Sequence, residues 1–294
     1  MSTIRRGQHT STRPYLWILP ALAFVAWLKF YPIFFSVILS LFEWNIFEYA
    51  YGPGPFTKFV GLGNYNLLLQ DPGFIRACVQ TLVYAVVTIT VQLGIAYILA
   101  VFVYLGEFSR SIELRATIFF PCLLSGVLVG NVSRKVMFLR GGIIHQVTNA
   151  LGLPDIYLLP EYAFHIVVFL GLWQFIGFYL LIFYAGLQSV DNEIMEAASV
   201  DGAGFWRMLF YIITPLQLRT MMLAAMLGII YSVHLFDLPR TVGASTLPTY
   251  LANISFGSRL GGPLGYASAM ATVMIGLLVI FSLLRSRVLK SIDW

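Results

Sequence analysis

At 294 residues, 59% hydrophobic and only 11% charged, the chain falls well short of the roughly 25% charged content of ordinary soluble domains. A water-soluble fold of this size has no interior large enough for so much apolar surface, so the composition excludes one and predicts an all-α membrane protein. The net charge of +5 is scattered without the basic stripe that a phosphate backbone needs, which excludes nucleic acid as a partner.

Residues 1–14 are polar and contain Arg5, Arg6 and Arg13. The apolar run from Tyr15 to Pro20 is too short for the core of a signal peptide, so this stretch is expected to be an uncleaved cytoplasmic tail. A single transmembrane domain is predicted over 15–290, with six spans at about 15–42, 79–105, 116–138, 164–187, 215–238 and 266–284. The first is longer than a roughly 30 Å apolar slab requires at about 1.5 Å per residue, and Pro32 is its natural kink. Lys29 inside it reads as a snorkelling amine. Pro121 opens the third span, and Arg134 and Lys135 near its end read as interfacial. Residues 43–77 hold a turn cluster, Gly52-Pro53-Gly54-Pro55, among aromatic residues suited to a membrane interface.

Six spans place both termini on one face. Arg5, Arg6 and Arg13 at one end and Arg285, Arg287 and Lys290 at the other mark that face as cytoplasmic. The chain shows no internal repeat, so a two-fold pore requires a second subunit. Cys78 and Cys122 lie in or beside apolar segments without metal or disulfide spacing, and read as packing residues.

The segment 190–214 is a polar island between the fourth and fifth spans. Asp191 can cap a short helix, and Glu193 suits its first turn. Ile194, Ala197 and Ala198 follow at one-face spacing. Gly202 and Gly204 supply a permissive backbone where the helix should end. Phe205, Trp206 and Leu209 start a second short helix, and Pro215 fits the first turn of the next span. The pattern predicts a helix–glycine turn–helix elbow whose small alanines leave a low face for another protein.

These residues also carry a resemblance. Glu196-Ala197-Ala198, then Gly202, Ile212 and Pro215, is similar to the EAA loop of ABC-importer permeases, departing at Thr214, where the family usually has Leu. The segment Phe59-Val60-Gly61-Leu62-Gly63-Asn64-Tyr65 with Asp71-Pro72-Gly73-Phe74 resembles the extracytoplasmic stretch after the first helix of sugar-type permeases. His234 to Asp237 and the run Gly265-Tyr266-Ala267-Ser268-Ala269 resemble later parts of the same family. The resemblance implies the type I importer permease fold in a bacterial inner membrane, serving the maltose/oligosaccharide class. It implies a heterodimer with a related permease, two ATPase copies carrying ATP and Mg, and an extracytoplasmic solute-binding protein facing segments 43–77 and 239–262. It makes Glu196, Ala197, Ala198, Asp201, Gly202 and Pro215 the ATPase-coupling residues, with Glu196 a polar contact and the two alanines a close apolar fit.

No phosphate-binding loop, nucleophile elbow or metalloprotease motif occurs, and His9, His145, His165 and His234 lie far apart in sequence. The chain is therefore expected to bind no cofactor or metal and to catalyse nothing, its energy coming from another polypeptide. For a sugar path, Trp173, Gln174 and Tyr179 of the fourth span and Tyr231, His234 and Asp237 of the fifth combine aromatic faces with hydrogen-bonding groups. Asp237 has two readings, a functional intramembrane carboxylate or a structural pair with Arg240. Arg134, Lys135 and Arg140 keep open a permease for a non-sugar solute such as a phosphate ester. A secondary transporter or membrane scaffold is the remaining alternative.

Overall fold

The computed structural model describes residues 13–45, 52, 56, 58–105, 111–152, 158–257 and 263–290. The expected tail up to residue 12, Tyr49, Tyr51, Gly54 and the last four residues lie outside them. The described residues are mostly helical, and the β pairing among them is confined to two isolated bridges, Phe42 with Phe59 and Asn45 with Pro263. In chain order the helices are α1 (Trp17–Leu39), α2 (Gly63–Gln70), α3 (Pro72–Tyr104), α4 (Arg115–Leu123), α5 (Gly126–Met137), α6 (Ile143–Ala150), α7 (Ala163–Leu187), α8 (Asn192–Val200), α9 (Phe205–Leu216), α10 (Leu218–His234), α11 (Asp237–Val242), α12 (Leu247–Phe256) and α13 (Leu264–Lys290). Among the described residues five stretches are long and apolar enough to cross a membrane, and α4 with α5 makes a sixth if that bent pair is one crossing.

Several boundaries differ from the sequence reading, each for a local reason. The second crossing starts at Pro72, seven residues before the expected Val79. Asp71 caps it by accepting the Gly73 N–H at 2.8 Å, and Pro72 follows at the first helical position, where its missing donor is no loss. The third crossing is not one helix: α4 and α5 meet at 90°. A tight turn containing Pro121 leads into extended Leu124 and Ser125. Backbone freed inside a membrane must find a partner. Here the Leu124 carbonyl accepts from Gln174 Nε2 at 2.8 Å. The fifth crossing breaks at Leu235 and Phe236, where the Leu235 carbonyl accepts from Thr246 Oγ1 at 2.9 Å. In α1, a wide π turn at Ala26–Phe30 ends two residues before Pro32.

Helix α7 is the axis of the bundle. Lipid is as apolar as leucine, so helices associate here through close packing at small residues and through hydrogen bonds between helices. A Cβ at Gly171 would lie 2.2 Å from the Tyr84 hydroxyl, and one at Gly177 only 2.2 Å from the Ile118 carbonyl oxygen. Buried Gln92 ties α3 to α7 through Nε2, 3.0 Å from Gly171 O and 3.2 Å from Leu172 O. Tyr97, Leu180, Phe183, Leu187, Leu209 and Ile213 pack into one buried cluster at the end of α7 that leads into the elbow. By contrast, only 6% of the apolar window of α1 is buried, so most of this helix presents its surface outward.

The opposite end of the bundle is held by polar contacts between segments far apart in sequence. Asn64 Nδ2 reaches Ser40 O at 2.8 Å and Phe42 O at 3.0 Å, and Gly265 packs against the same Phe42 carbonyl. Asp71 Oδ2 accepts from the hydroxyls of Tyr250 at 2.7 Å and Tyr266 at 2.5 Å, joining α3, α12 and α13. Burial opposes ionisation of Asp71. The hydrogen bonds from Tyr266, Tyr250 and the Gly73 and Phe74 backbone outweigh it and hold the carboxyl below its ordinary 3.8. A depressed carboxylate stabilises the fold above its unfolded pKa, and loses that contribution as pH falls through the folded value. Asp71→Asn is expected to cost about 1 kcal/mol at pH 7, seen as a drop in the thermal midpoint in detergent, and to flatten the loss of stability below about pH 4. An unchanged midpoint at pH 7 would rule out this role.

Candidate functional site

The elbow folds as a clamp with one face turned inward. Asp191 Oδ1 accepts the Glu193 N–H at 3.0 Å and starts α8. The helix ends with the Ala203 N–H on Ala198 O at 3.0 Å and the Gly202 N–H on Ser199 O at 3.1 Å. This paired closure needs a left-handed residue, and Gly202 has φ +73°. Phe205 then stacks on Phe102 of α3 with centroids 4.2 Å apart. Met208, Leu209 and Ile213 are buried, and α9 widens into a π turn over the same stretch, Met208–Ile213.

The structure separates the coupling residues predicted together. Glu196, Ala197, Asp201 and Gly202 are exposed on the outer face of the elbow. Ala198 is buried with Met195 against the chain's own core. At 7% exposed it faces inward while Ala197 faces out, because i and i+1 positions on a helix point about 100° apart. Val200, 87% exposed, and the stacked, exposed pair Trp206 and Phe210 extend the outward surface instead. Pro215 lies in the last turn of α9, not in the first turn of the following span, because the chain breaks at Gln217 before α10 begins.

Two residues that anchor the elbow are not among its expected coupling residues. Thr214, the departure from the family's usual Leu, uses its hydroxyl on Leu209 O at 2.6 Å and on Tyr97 OH at 3.0 Å. It fastens α9 to α3 where leucine could only pack. Gln217, 1% exposed, donates from Nε2 to Gly186 O at 2.9 Å and so ties the exit of the elbow to its entrance. A polar side chain two residues after Pro215 in an apolar run is the available signal.

The predicted path residues also divide. Gln174, Tyr231, His234 and Asp237 line one cavity of about 220 Å³, together with Leu124, Gly126, Phe175, Leu235 and Phe236. Both helix breaks open onto it, one beside Leu124 and one at Leu235. Trp173 and Tyr179 do not line it. Trp173 points outward, 46% exposed, and Tyr179 is 2% exposed in the core beside Gly228. On a helix, residues one or five positions from Gln174 face other directions. Asp237 forms no salt bridge among the described residues, because Arg240 donates to Asn253 Oδ1, so the structural pair with Arg240 is absent. Arg134 donates from Nη1 to Thr241 O at 3.1 Å and does not line the cavity.

Gly126 and Gly130, one turn apart at the start of α5, let α11 lie directly against that helix. A Cβ at Gly126 would be 3.2 Å from Asp237 Cβ, and one at Gly130 only 1.8 Å from Thr241 Oγ1. The small-xxx-small spacing Gly126-Val-Leu-Val-Gly130 is visible in the sequence and is the recurrent signature of such close helix approach.

Apolar crossings, a rigid elbow on one end and a polar-lined cavity at paired helix breaks define a membrane transport subunit. Similarity to known proteins agrees. Residues 67–293 match the family described as binding-protein-dependent transport system inner membrane component, and the chain belongs to that family. It is an inner-membrane permease subunit of an ABC transporter, a transport component rather than an enzyme. It is 29% identical to the probable ABC transporter permease protein YurN of Bacillus subtilis, over 95% of this chain and 96% of the relative. It is 27% identical to the lactose transport system permease protein LacF of Rhizobium radiobacter, over 92% of each. The fold matches a chain of a bacterial alginate ABC transporter solved with an alginate pentasaccharide-bound periplasmic protein, with TM-score 0.73 and 19% identity, covering 93% of this chain and 92% of that one. Membership in a binding-protein-dependent family leaves no room for the secondary-transporter or scaffold alternative.

Proposed function

We propose that this chain forms half of the translocation path of an ATP-driven importer for a sugar or oligosaccharide, and that the outer face of α8 receives the work of a separate ATPase. The observation that carries the coupling role is the two-sided elbow. Its inner face is fixed by the Gly202 turn, the Phe205–Phe102 stack and the Thr214–Tyr97 contact, while Glu196, Ala197 and Asp201 stay exposed on the other. An element so fixed moves with α3, α7 and α10, so displacement of its outer face becomes rocking of the crossings around the cavity. In this reading both termini and the elbow are cytoplasmic, and the partners are a second homologous permease, an ATPase pair holding ATP and Mg, and an extracytoplasmic solute-binding protein at the opposite end. The sugar assignment is supported by the lactose relative and by the aromatic and hydrogen-bonding lining of the cavity.

The test is Gly202→Asp in the assembled importer. Aspartate must hold φ +73°, which costs an L-residue about 1–2 kcal/mol, and it adds a charge beside Glu196 and Asp201. Co-purification of the ATPase and ATP-dependent uptake are both expected to fall at least tenfold while the chain remains in the membrane. Unchanged association together with unchanged uptake would overturn the coupling assignment.

A further inference from the structure

We propose that the cavity between the α4–α5 break, α7, α10 and α11 selects for hydrogen-bond donors. It takes a neutral hydroxyl-rich or amino-bearing sugar ring and turns away a carboxylated or sulfonated one. This rests on the reading of the chain as a sugar-importer subunit and adds the polarity of the cargo.

Three of the polar groups that line the cavity present acceptors. Gln174 is 1% exposed, and its Nε2 is committed to Leu124 O at 2.8 Å. Among the described residues its Oε1 is buried with no hydrogen-bond partner, an arrangement proteins rarely leave unanswered. His234 places Nδ1 2.9 Å from Ile230 O. A carbonyl can only accept, so Nδ1 carries a proton, and in the tautomer that has this as its single proton Nε2 is an acceptor. Asp237 brings a carboxylate with no salt bridge among the described residues, because Arg240 is turned to Asn253. Tyr231 adds a hydroxyl of either sense and an aromatic face next to Phe175, with centroids 4.4 Å apart.

No Lys or Arg lines the cavity among the described residues. An anionic ring substituent would meet the Asp237 carboxylate without a compensating cation and would leave Gln174 Oε1 unpaired. Hydroxyl or ammonium groups satisfy all three acceptors. At about 220 Å³ the cavity is below the roughly 300–1,000 Å³ of pockets that enclose a drug-sized ligand, so it takes one part of a longer solute at a time.

The assembled importer, without its binding protein and without nucleotide, is titrated at pH 7 by equilibrium dialysis. The probes are glucose, glucosamine and glucuronate, and the matching galactose, galactosamine and galacturonate. In at least one ring series the neutral and amino sugars are expected to bind at least tenfold tighter than the uronate. Asp237→Asn, checked for ATPase co-purification as its folding control, is expected to narrow that gap at least fivefold and to remove any advantage of the amino sugar. Uronate binding as tightly as the neutral sugar, a gap indifferent to Asp237→Asn, or no saturable binding by any probe would each overturn the proposal. ATP-dependent uptake is read separately, so failure here with uptake intact overturns the polarity of the cavity alone, while uptake independent of the ATPase overturns the importer reading itself.

Discussion

Gly177→Ala is expected to destabilise the isolated chain in detergent by about 2 kcal/mol, although alanine is the better helix former. Two effects of opposite sign meet at this position. Replacing a mid-helix glycine by alanine stabilises by roughly 0.5–1 kcal/mol through reduced backbone entropy. The added methyl, however, would lie 2.2 Å from Ile118 O and 2.6 Å from Phe119 Cα. These are backbone atoms, so no side-chain rotation relieves the contact, and α4 must shift away from α7. Overpacking of this kind costs about 1–3 kcal/mol and more where the backbone has to move. At Gly94, in the interior of α3, an added methyl would meet nothing within 4 Å, and Gly94→Ala is expected to show the propensity gain alone. Thermal unfolding of the two variants beside the parent chain decides the matter. Equal midpoints for Gly177→Ala and Gly94→Ala would remove α7 from its place as the packing axis.

Gly130→Ala is expected to reduce ATP-dependent uptake at least tenfold while ATPase association survives. The new Cβ would sit 1.8 Å from Thr241 Oγ1 and 2.9 Å from Thr241 Cβ. The Thr241 hydroxyl is already engaged with Leu238 O at 2.9 Å and Asp237 O at 3.1 Å, so turning it aside breaks contacts that hold α11. The alternative is displacement of α11, which carries Asp237 out of register with Gln174 and His234. A shift of about 1 Å in a positioned polar group is enough to cost two orders of magnitude in a well-fitted site. The elbow lies on the far side of Gln217 from this contact and should keep its shape. The companion Gly130→Ala/Thr241→Ala double variant removes the nearer collision and is expected to restore part of the uptake. Loss of ATPase co-purification in the single variant, or no recovery in the double, would show that the effect does not run through α11.

The elbow is legible in the sequence because its signals are local. A cap at Asp191, small residues in one turn, a left-handed glycine at 202 and an apolar restart at Phe205 each act within a few residues of themselves. The folded chain reproduces that order. The start of α3 is equally local, in Asp71-Pro72, but a boundary set by hydropathy falls later, because the first helical turns after the cap carry Arg76 and little apolar contrast. Thr214 and Gln217 are visible as polar residues in an apolar run, but their partners, Tyr97 and Gly186, lie 117 and 31 residues away. Local pattern cannot say whether such a hydroxyl or amide faces lipid, core or solvent.

Amino-acid composition and hydropathy are enough to determine that this is a bundle of apolar helices in a membrane, and short-range motifs are enough to place an elbow in it. Tertiary structure alone decided that Ala197 faces out and Ala198 in, that Gln174 enters the cavity while Trp173 and Tyr179 stay outside it, and that two crossings break at the cavity that holds Asp237. The physical reason is the solvent. In water a helix advertises its buried face by the contrast between apolar and polar sides. In lipid both sides are apolar, so the periodicity that would assign each residue a direction is missing, and only the packing of small residues and the pairing of buried polar groups fix which way each side chain turns.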